Sequence, residues 1–282
     1  MGAARFGKVV TAMVTPFQED GALDLDGAAE LARWLVAHGN DGLVLTGTTG
    51  EGPTLTDDEA VEVWTAVRAA VDVPLLAGTG SNSTRHTVAL SERAAATGVD
   101  GLLAHMRAVA ESVDLPVVLY DVPGRTGRAL SVDTIVELAT EVPNIVGLKD
   151  ARGLPTEAAQ IVARVPDSFD VYSGDDGLTL PLLAVGAAGV VGVATHWTGP
   201  LFGEMISAFE KGDVVTAREV NARLLDSFSY EATDLWQHAT GVKALLTELG
   251  LPGGPSRLPL APIPDEARSW ARRIIEALEV TR

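Results

Sequence analysis

Eight short apolar runs, each followed by a stretch with helical periodicity, recur along the chain with almost no hairpin signal between them. That alternation constrains the fold more than any other feature. The runs are KVVTAMVTPF (8–17), DGLVLTG (41–47), VPLLAGTG (73–80), VDGLL (99–103), LPVVLYDVP (115–123), NIVGLKD (144–150), FDVYSGDD (169–176) and GVVGVAT (189–195). Strands this apolar must be covered on both faces, which implies a parallel sheet with helices outside it. Eight such units imply an α/β fold closed into a (β/α)₈ TIM barrel, with chemistry at the C-terminal ends of the strands. A doubly wound open sheet is the alternative, but its glycine-rich first turn is replaced here by TPFQEDG.

Local signals agree with this reading. Gly39 stops the first helix, Thr56 and Asp57 open the second, Ser83 and Thr84 the third, and Ser131 caps the helix after strand five. From about Asp213 the strands cease, and three helical segments follow, broken by LGLPGGPSRLPLAPIP. The expected organisation is therefore a barrel over 1–212 and a C-terminal helical appendage over 213–282.

Composition narrows the function classes. A net charge of −17 argues against binding nucleic acid or an anionic membrane, since either needs clustered Lys and Arg. With no cysteine there is no disulfide, thiolate metal site or cysteine nucleophile. MGAARFGKVV lacks a signal-peptide core and has Phe6 where a myristoylation signal needs Ser or Thr. LLAVGAAGVVGVA is too short and glycine-rich to span a bilayer. A soluble, cytoplasmic protein is expected.

Only four lysines occur, and only Lys149 ends an apolar strand on the face where barrels do chemistry. Lys8 begins strand one, Lys211 follows a helix and Lys243 lies within one. A strand-end lysine can simply extend its head into solvent. Here, however, the preceding strand is wholly apolar and the neighbouring strand ends carry hydroxyls. Desolvation exposes an amine's lone pair, which is what imine formation with a ketone requires. In LTGTTGEGPTLT, Thr48 and Thr49 place two hydroxyls beside backbone N–H groups able to bind a carboxylate, and Glu51 is expected to bond backbone amides. In LYDVPGRTG, Tyr120 suits proton relay if a partner such as Thr48 meets its phenol, while Arg125 can fork onto a carboxylate. Asp176 of SGDD is expected to cap a helix rather than bind a metal with Asp175, and His196 to be a hydrogen-bonded loop residue.

GTTGE, LYDVPGRTG, IVGLKD and SGDD, in this order, closely resemble the dihydrodipicolinate synthase family, pyruvate-dependent class I lyases of the N-acetylneuraminate lyase superfamily. The resemblance spans nearly the whole chain. It implies that Lys149 forms the imine with pyruvate, that Tyr120 moves the protons, and that Thr48 is its relay partner. It further implies that Thr49 binds the pyruvate carboxylate, that the backbone of Val191 lines the pyruvate site, and that Arg125 receives the carboxylate of a small aldehyde substrate, aspartate 4-semialdehyde. No metal or organic cofactor is implied. A homo-oligomer is, either a dimer or a dimer of dimers (the homotetramer). Two alternatives stand beside this: an aldolase for another 2-keto acid, or a paralogue that binds pyruvate without turnover.

The chain departs from the family pattern in two places. HATGVK stands where the family has N-P-x-P-x-K, keeping Lys243. After VDGLL the helical pattern AHMRAVAESV begins at once, without the long tyrosine-bearing loop of the family. A strand cut short would damage barrel closure. A chain break between Leu103 and Ala104 is accordingly expected.

Overall fold

The computed structural model describes residues 4–104 and 107–282. The elements run in the order β1 Val9–Ala12, α1 Leu25–Ala37, β2 Gly42–Leu45, α2 Asp57–Ala70, β3 Leu75–Gly78, α3 Thr84–Ala95 and β4 Gly101–Ala104. Next come α4 Arg107–Ala110, β5 Val117–Asp121, α5 Pro123–Thr126, α6 Val132–Glu141, β6 Ile145–Asp150, α7 Pro155–Val162 and β7 Asp170–Ser173. The chain finishes with α8 Thr179–Ala184, β8 Gly189–Gly192, α9 Thr195–Glu210, α10 Val214–Glu231, α11 His238–Glu248 and α12 Asp265–Leu278. The eight strands form a closed barrel in sequence order, every pair parallel, with β8 returning to β1 through Val191 and Val10. This is the TIM barrel that the alternation predicts, followed by helices α10–α12.

Two apolar layers hold it. Inside, nearly every strand contributes one residue: Val10, Val44, Leu76, Leu103, Val118, Tyr172 and Val191 pack together, with Phe6 among them and Tyr120 and Val146 alongside. Outside, strand residues of the opposite parity meet the helices. In α1 these are Ala28, Leu31, Ala32 and Leu35, spaced to form one helical stripe. Ala217, Leu224, Phe228, Val242, Leu245 and Ile274 of α10–α12 belong to the same continuous outer core. The C-terminal helices are thus packed into the barrel's own core.

Helix starts follow the sequence closely. Thr56 and Glu59 form a reciprocal capping box on α2, and Ser83 and Ser131 cap α3 and α6 through their hydroxyls. Gly39, at φ 81°, follows α1 in the left-handed conformation suited to glycine. Strand one is shorter than the apolar run: after Ala12 only Met13 N still donates to Val44 O, and Phe17 pairs instead with Leu23 in the following loop.

Strand four corrects one expectation. Leu103 and Ala104 are consecutive residues of β4, paired with Val118 and Leu119 of β5. There is no break between them. The ladder to β5 completes the barrel where loss of closure was expected, because a strand of four residues suffices for both neighbours' hydrogen bonds. Ala104, where the helical pattern begins, belongs to β4, and Arg107–Ala110 form α4; His105 and Met106 lie outside the described residues, as do Met1–Ala3 of the N-terminal reading.

Candidate active site

The penultimate residues of β5, β6 and β7 stand level on adjacent strands: Tyr120 pairs with Lys149, and Lys149 with Tyr172. Period-two alternation therefore points all three side chains into the barrel. Lys149 is buried, and among the described residues it forms no hydrogen bond or ion pair. Its Nζ lies 4.5 Å from the centre of the Tyr120 ring. Gly174 makes room for the lysine stem, since a Cβ there would sit 3.0 Å from Lys149 Cγ and 3.1 Å from Cε.

Lys149 opens onto a cavity of about 170 Å³ that Thr48, Thr49, Tyr120 and Arg125 also line. The structure therefore brings five of the six sequence-predicted residues together. Val191 is the exception: it packs in the inner barrel layer, and strand eight reaches the cavity through the following Val193. Thr48 and Tyr120 face the same space, yet no hydrogen bond joins them among the described residues. A second cavity, of about 500 Å³, adjoins the first and shares Thr48, Tyr120 and Arg125 with it.

The turn carrying Thr48 and Thr49 is held in an uncommon shape. Thr46 and Glu51, on either side of it, are left-handed, with φ 54° and 55°. A Cβ on Gly50 would stand 2.9 Å from Met13 O, so the close approach there requires glycine. Trp64 Nε1 donates to Thr46 Oγ1 at 2.8 Å, and Thr15 Oγ1 donates to Gly50 O at 2.7 Å. Glu51 differs in part from its expected role. One carboxylate oxygen accepts the Arg257 N–H at 2.9 Å, and the other meets the Lys243 ammonium at 2.5 Å.

Behind Lys149, a buried ionic cluster ties the ends of β5 and β6 together. Arg152 clasps Asp150 through Nε at 3.0 Å and Nη2 at 2.6 Å, reaches Glu157 at 2.9 Å, and stands 3.7 Å from Asp121. Burial raises the Asp121 carboxyl, against the opposing pull of the Leu130 N–H and Arg152.

The cavity has an acidic wall that sequence reasoning saw only in part. Asp175, Asp176, Glu231 and His238 line it, the last two from the end of α10 and the start of α11. Asp175, not Asp176, is the capping residue, accepting Gly177 N–H at 3.0 Å. Asp176 is buried and accepts the Val193 N–H at 2.9 Å, which fixes the start of the β8 loop. Burial and the nearby Glu231 carboxylate push Asp176 well above the usual carboxylate range, with Lys149 pulling the other way. Glu231 meets His238 Nδ1 at 2.9 Å. Nothing in the local sequence marks Glu231 or His238, because neither follows a strand.

His196 is hydrogen-bonded as expected, but it lies in the first turn of α9 rather than in a loop. Its Nδ1 lies 2.7 Å from Val193 O, and its Nε2 accepts Val14 N–H at 3.2 Å, an arrangement that assigns the neutral ring with the proton on Nδ1. Burial lowers it to about 4. Lys8 lies at the opposite end of the barrel, paired with Glu210 at 2.6 Å. Among the described residues, no helix is long and apolar enough to cross a membrane.

The model of the dihydrodipicolinate synthetase family matches residues 5–278. A 4-hydroxy-tetrahydrodipicolinate synthase of Acidothermus cellulolyticus is 50% identical over 275 residues, covering 91% of this chain and 87% of that protein. Among solved structures, a dihydrodipicolinate synthase from Cyanidioschyzon merolae with lysine bound superposes with a TM-score of 0.93 at 38% identity, over 97% of this chain and 98% of the other. The chloride-inhibited enzyme from Acinetobacter baumannii complexed with pyruvate gives 0.89 at 31% identity, over 98% and 99%.

Proposed function

Because the chain belongs to the dihydrodipicolinate synthetase family, we propose that it is a class I lyase in which Lys149 carries pyruvate as an imine. The reaction is the 4-hydroxy-tetrahydrodipicolinate synthase reaction, condensing pyruvate with aspartate 4-semialdehyde. The observation that carries the assignment of Lys149 is a buried amine outside any ion pair among the described residues, facing a cavity that Thr48, Thr49, Tyr120 and Arg125 also line, opposite an acidic wall.

In this reading, Thr49 and the N–H groups of its turn hold the pyruvate carboxylate. Lys149 Nζ adds to the C2 ketone and water leaves, giving the imine. Loss of a C3 proton yields the enamine, whose C3 attacks the aldehyde carbon of the second substrate. The substrate's own amine then attacks the imine carbon, displacing Lys149 and closing the ring, so one water is lost overall. Each step needs a proton moved near Nζ. The Tyr120 phenol supplies that route, since Lys149 already lies over its ring. Thr48 is its relay partner across the same cavity. Arg125, exposed at the mouth, takes the aldehyde's carboxylate by a charge-assisted fork. Val191, whose side chain packs in the inner layer, offers its backbone to the pyruvate site in this reading. Assembly as a homo-oligomer in the cytoplasm belongs to the same reading.

Borohydride added with pyruvate should place a reduced pyruvyl group on the peptide containing Lys149, and pyruvate with aspartate 4-semialdehyde should give a product of their combined mass less one water. A label on Lys8, Lys211 or Lys243, or no label, would overturn the assignment of Lys149.

A further inference from the structure

Lys243, which is not among the residues lining the cavity, has the most completely satisfied lysine amine among the described residues. Its side chain and that of Glu51 are both fully buried, and their charges meet at 2.5 Å. Nζ also donates to Pro255 O at 2.8 Å and lies 4.3 Å from the centre of the Phe17 ring. The other cation at this seam, Arg257, stands 4.2 Å from that ring. Arg257 donates its backbone N–H to Glu51, and its guanidinium donates to Gly21 O, Thr54 O and both oxygens of Glu59. Burial lowers Lys243 to about 8, with Glu51 drawing it back up, so the amine is largely charged at neutral pH.

These contacts join four separate parts of the chain: α11, the connection before α12, the connection between β1 and α1, and the segment from the turn after β2 into α2. Glu51 is the point where they converge. Its N–H donates to Thr48 O at 3.1 Å, and Gly52 N donates to Gly47 O at 3.0 Å, so Glu51 closes the loop containing Thr48 and Thr49. That loop lies between two left-handed non-glycine residues and would relax if nothing held Glu51. Glu51, Lys243 and Arg257 do not touch the cavity themselves. They reach toward it through this turn.

We infer that Lys243 is a positioning residue for the first substrate: by gripping Glu51 from α11 it fixes the Thr48–Thr49 turn that receives the pyruvate carboxylate. This rests on the pyruvate reading above. It gives the C-terminal helices a catalytic consequence, since the barrel mouth is set from outside the barrel.

The test uses Lys243→Met, Glu51→Gln and the double variant in the full chain, each checked for folding by circular dichroism. The pyruvate KM should rise roughly tenfold or more, because small displacements of a binding group cost that much. The aldehyde KM should stay within about twofold, and kcat at saturating pyruvate within about threefold. Borohydride trapping on Lys149 at saturating pyruvate should remain complete. The double variant replaces the pair with neutral isosteres, so its melting temperature should recover relative to Lys243→Met while its pyruvate KM does not. If Lys243→Met does not fold, Glu51→Gln decides alone. A pyruvate KM unchanged in a folded variant would overturn the inference, as would equal rises for both substrates. Failure of wild-type imine trapping would instead overturn the reading on which it rests.

Discussion

Lys149 and Lys243 are buried almost equally, at 4% and 0% exposure, yet their surroundings are opposite. Lys243 has a carboxylate, a carbonyl and an aromatic face around its ammonium. Lys149 has an aromatic face and a cavity, with no carboxylate in contact. A buried charge is costly unless paired. An amine left unpaired beside a cavity is free to meet a substrate, whereas pairing one at a seam locks two elements together. The contrast separates a reacting amine from a structural one more sharply than burial does.

The largest test of this contrast is Lys149→Met. Removing a covalent nucleophile should lower kcat by roughly 10⁴-fold or more and abolish borohydride labelling. Because no hydrogen bond or ion pair is lost among the described residues, the melting temperature should change little. A marked loss of stability would show that Lys149 is paired in solution and would break the comparison.

His196 sharpens it with a third buried base, one held neutral. Its folded value of about 4 lies below the ordinary 6.5. Between these pH values the unfolded chain binds a proton that the native ring refuses, so stability falls as pH drops from 6.5 to 4. The full loss, reached below 4, is about 3 kcal/mol. Urea unfolding across this range should show the slope, and His196→Gln should flatten it whatever its effect on stability at pH 7. An unchanged slope would mean that the ring charges inside the fold.

The next effect is smaller. Gly174→Ala brings a Cβ to 3.0 Å from Lys149 Cγ and from Ala151 Cβ, too close for the present rotamer. A shift of a few tenths of an ångström should cost roughly tenfold in kcat, about 1.4 kcal/mol. Because the lysine's flexible stem gives way, stability should change little. Equal losses in stability and kcat would indicate that the strand, rather than the amine, had moved.

The mouth was legible in the sequence to the extent that strands announce their ends. Lys149, Tyr120, Thr48 and Thr49 follow apolar runs directly, and Arg125 lies within the next loop, so strand order alone puts them on one face. Glu231 and His238 carry no such signal, since they reach the cavity from helix termini whose placement depends on packing against the barrel. Glu51 and Lys243 were each conspicuous alone, but their pairing is a tertiary fact that no spacing encodes. Asp175 takes the capping role expected of Asp176 because capping is decided by backbone angles, which two adjacent identical residues do not reveal. Strand four read as truncated because Ala104, a good helix former, is held in the ladder by Val118 and Leu119 of β5 through its neighbours.

The smallest predicted effect falls at the edge of the seam and tests how specific Lys243 is. Thr56 caps α2 by accepting the Glu59 N–H at 3.2 Å, and Glu59 returns a carboxylate oxygen to the Thr56 N–H at 2.9 Å. The same Glu59 carboxylate binds Arg257, whose guanidinium holds it down at about 2. Thr56→Ala should therefore loosen the first turn of α2, at a cost of about 1 kcal/mol, visible as a modest fall in melting temperature. It leaves the Glu51 carboxylate between Lys243 and the Arg257 N–H. Since those two contacts are what grip the Thr48–Thr49 turn, the pyruvate KM should stay within about twofold of the parent enzyme. A tenfold rise in that KM would mean that any loosening of α2 reaches the turn. The mouth would then depend on the seam as a whole, and the contrast between one reacting lysine and one gripping lysine would dissolve into general packing.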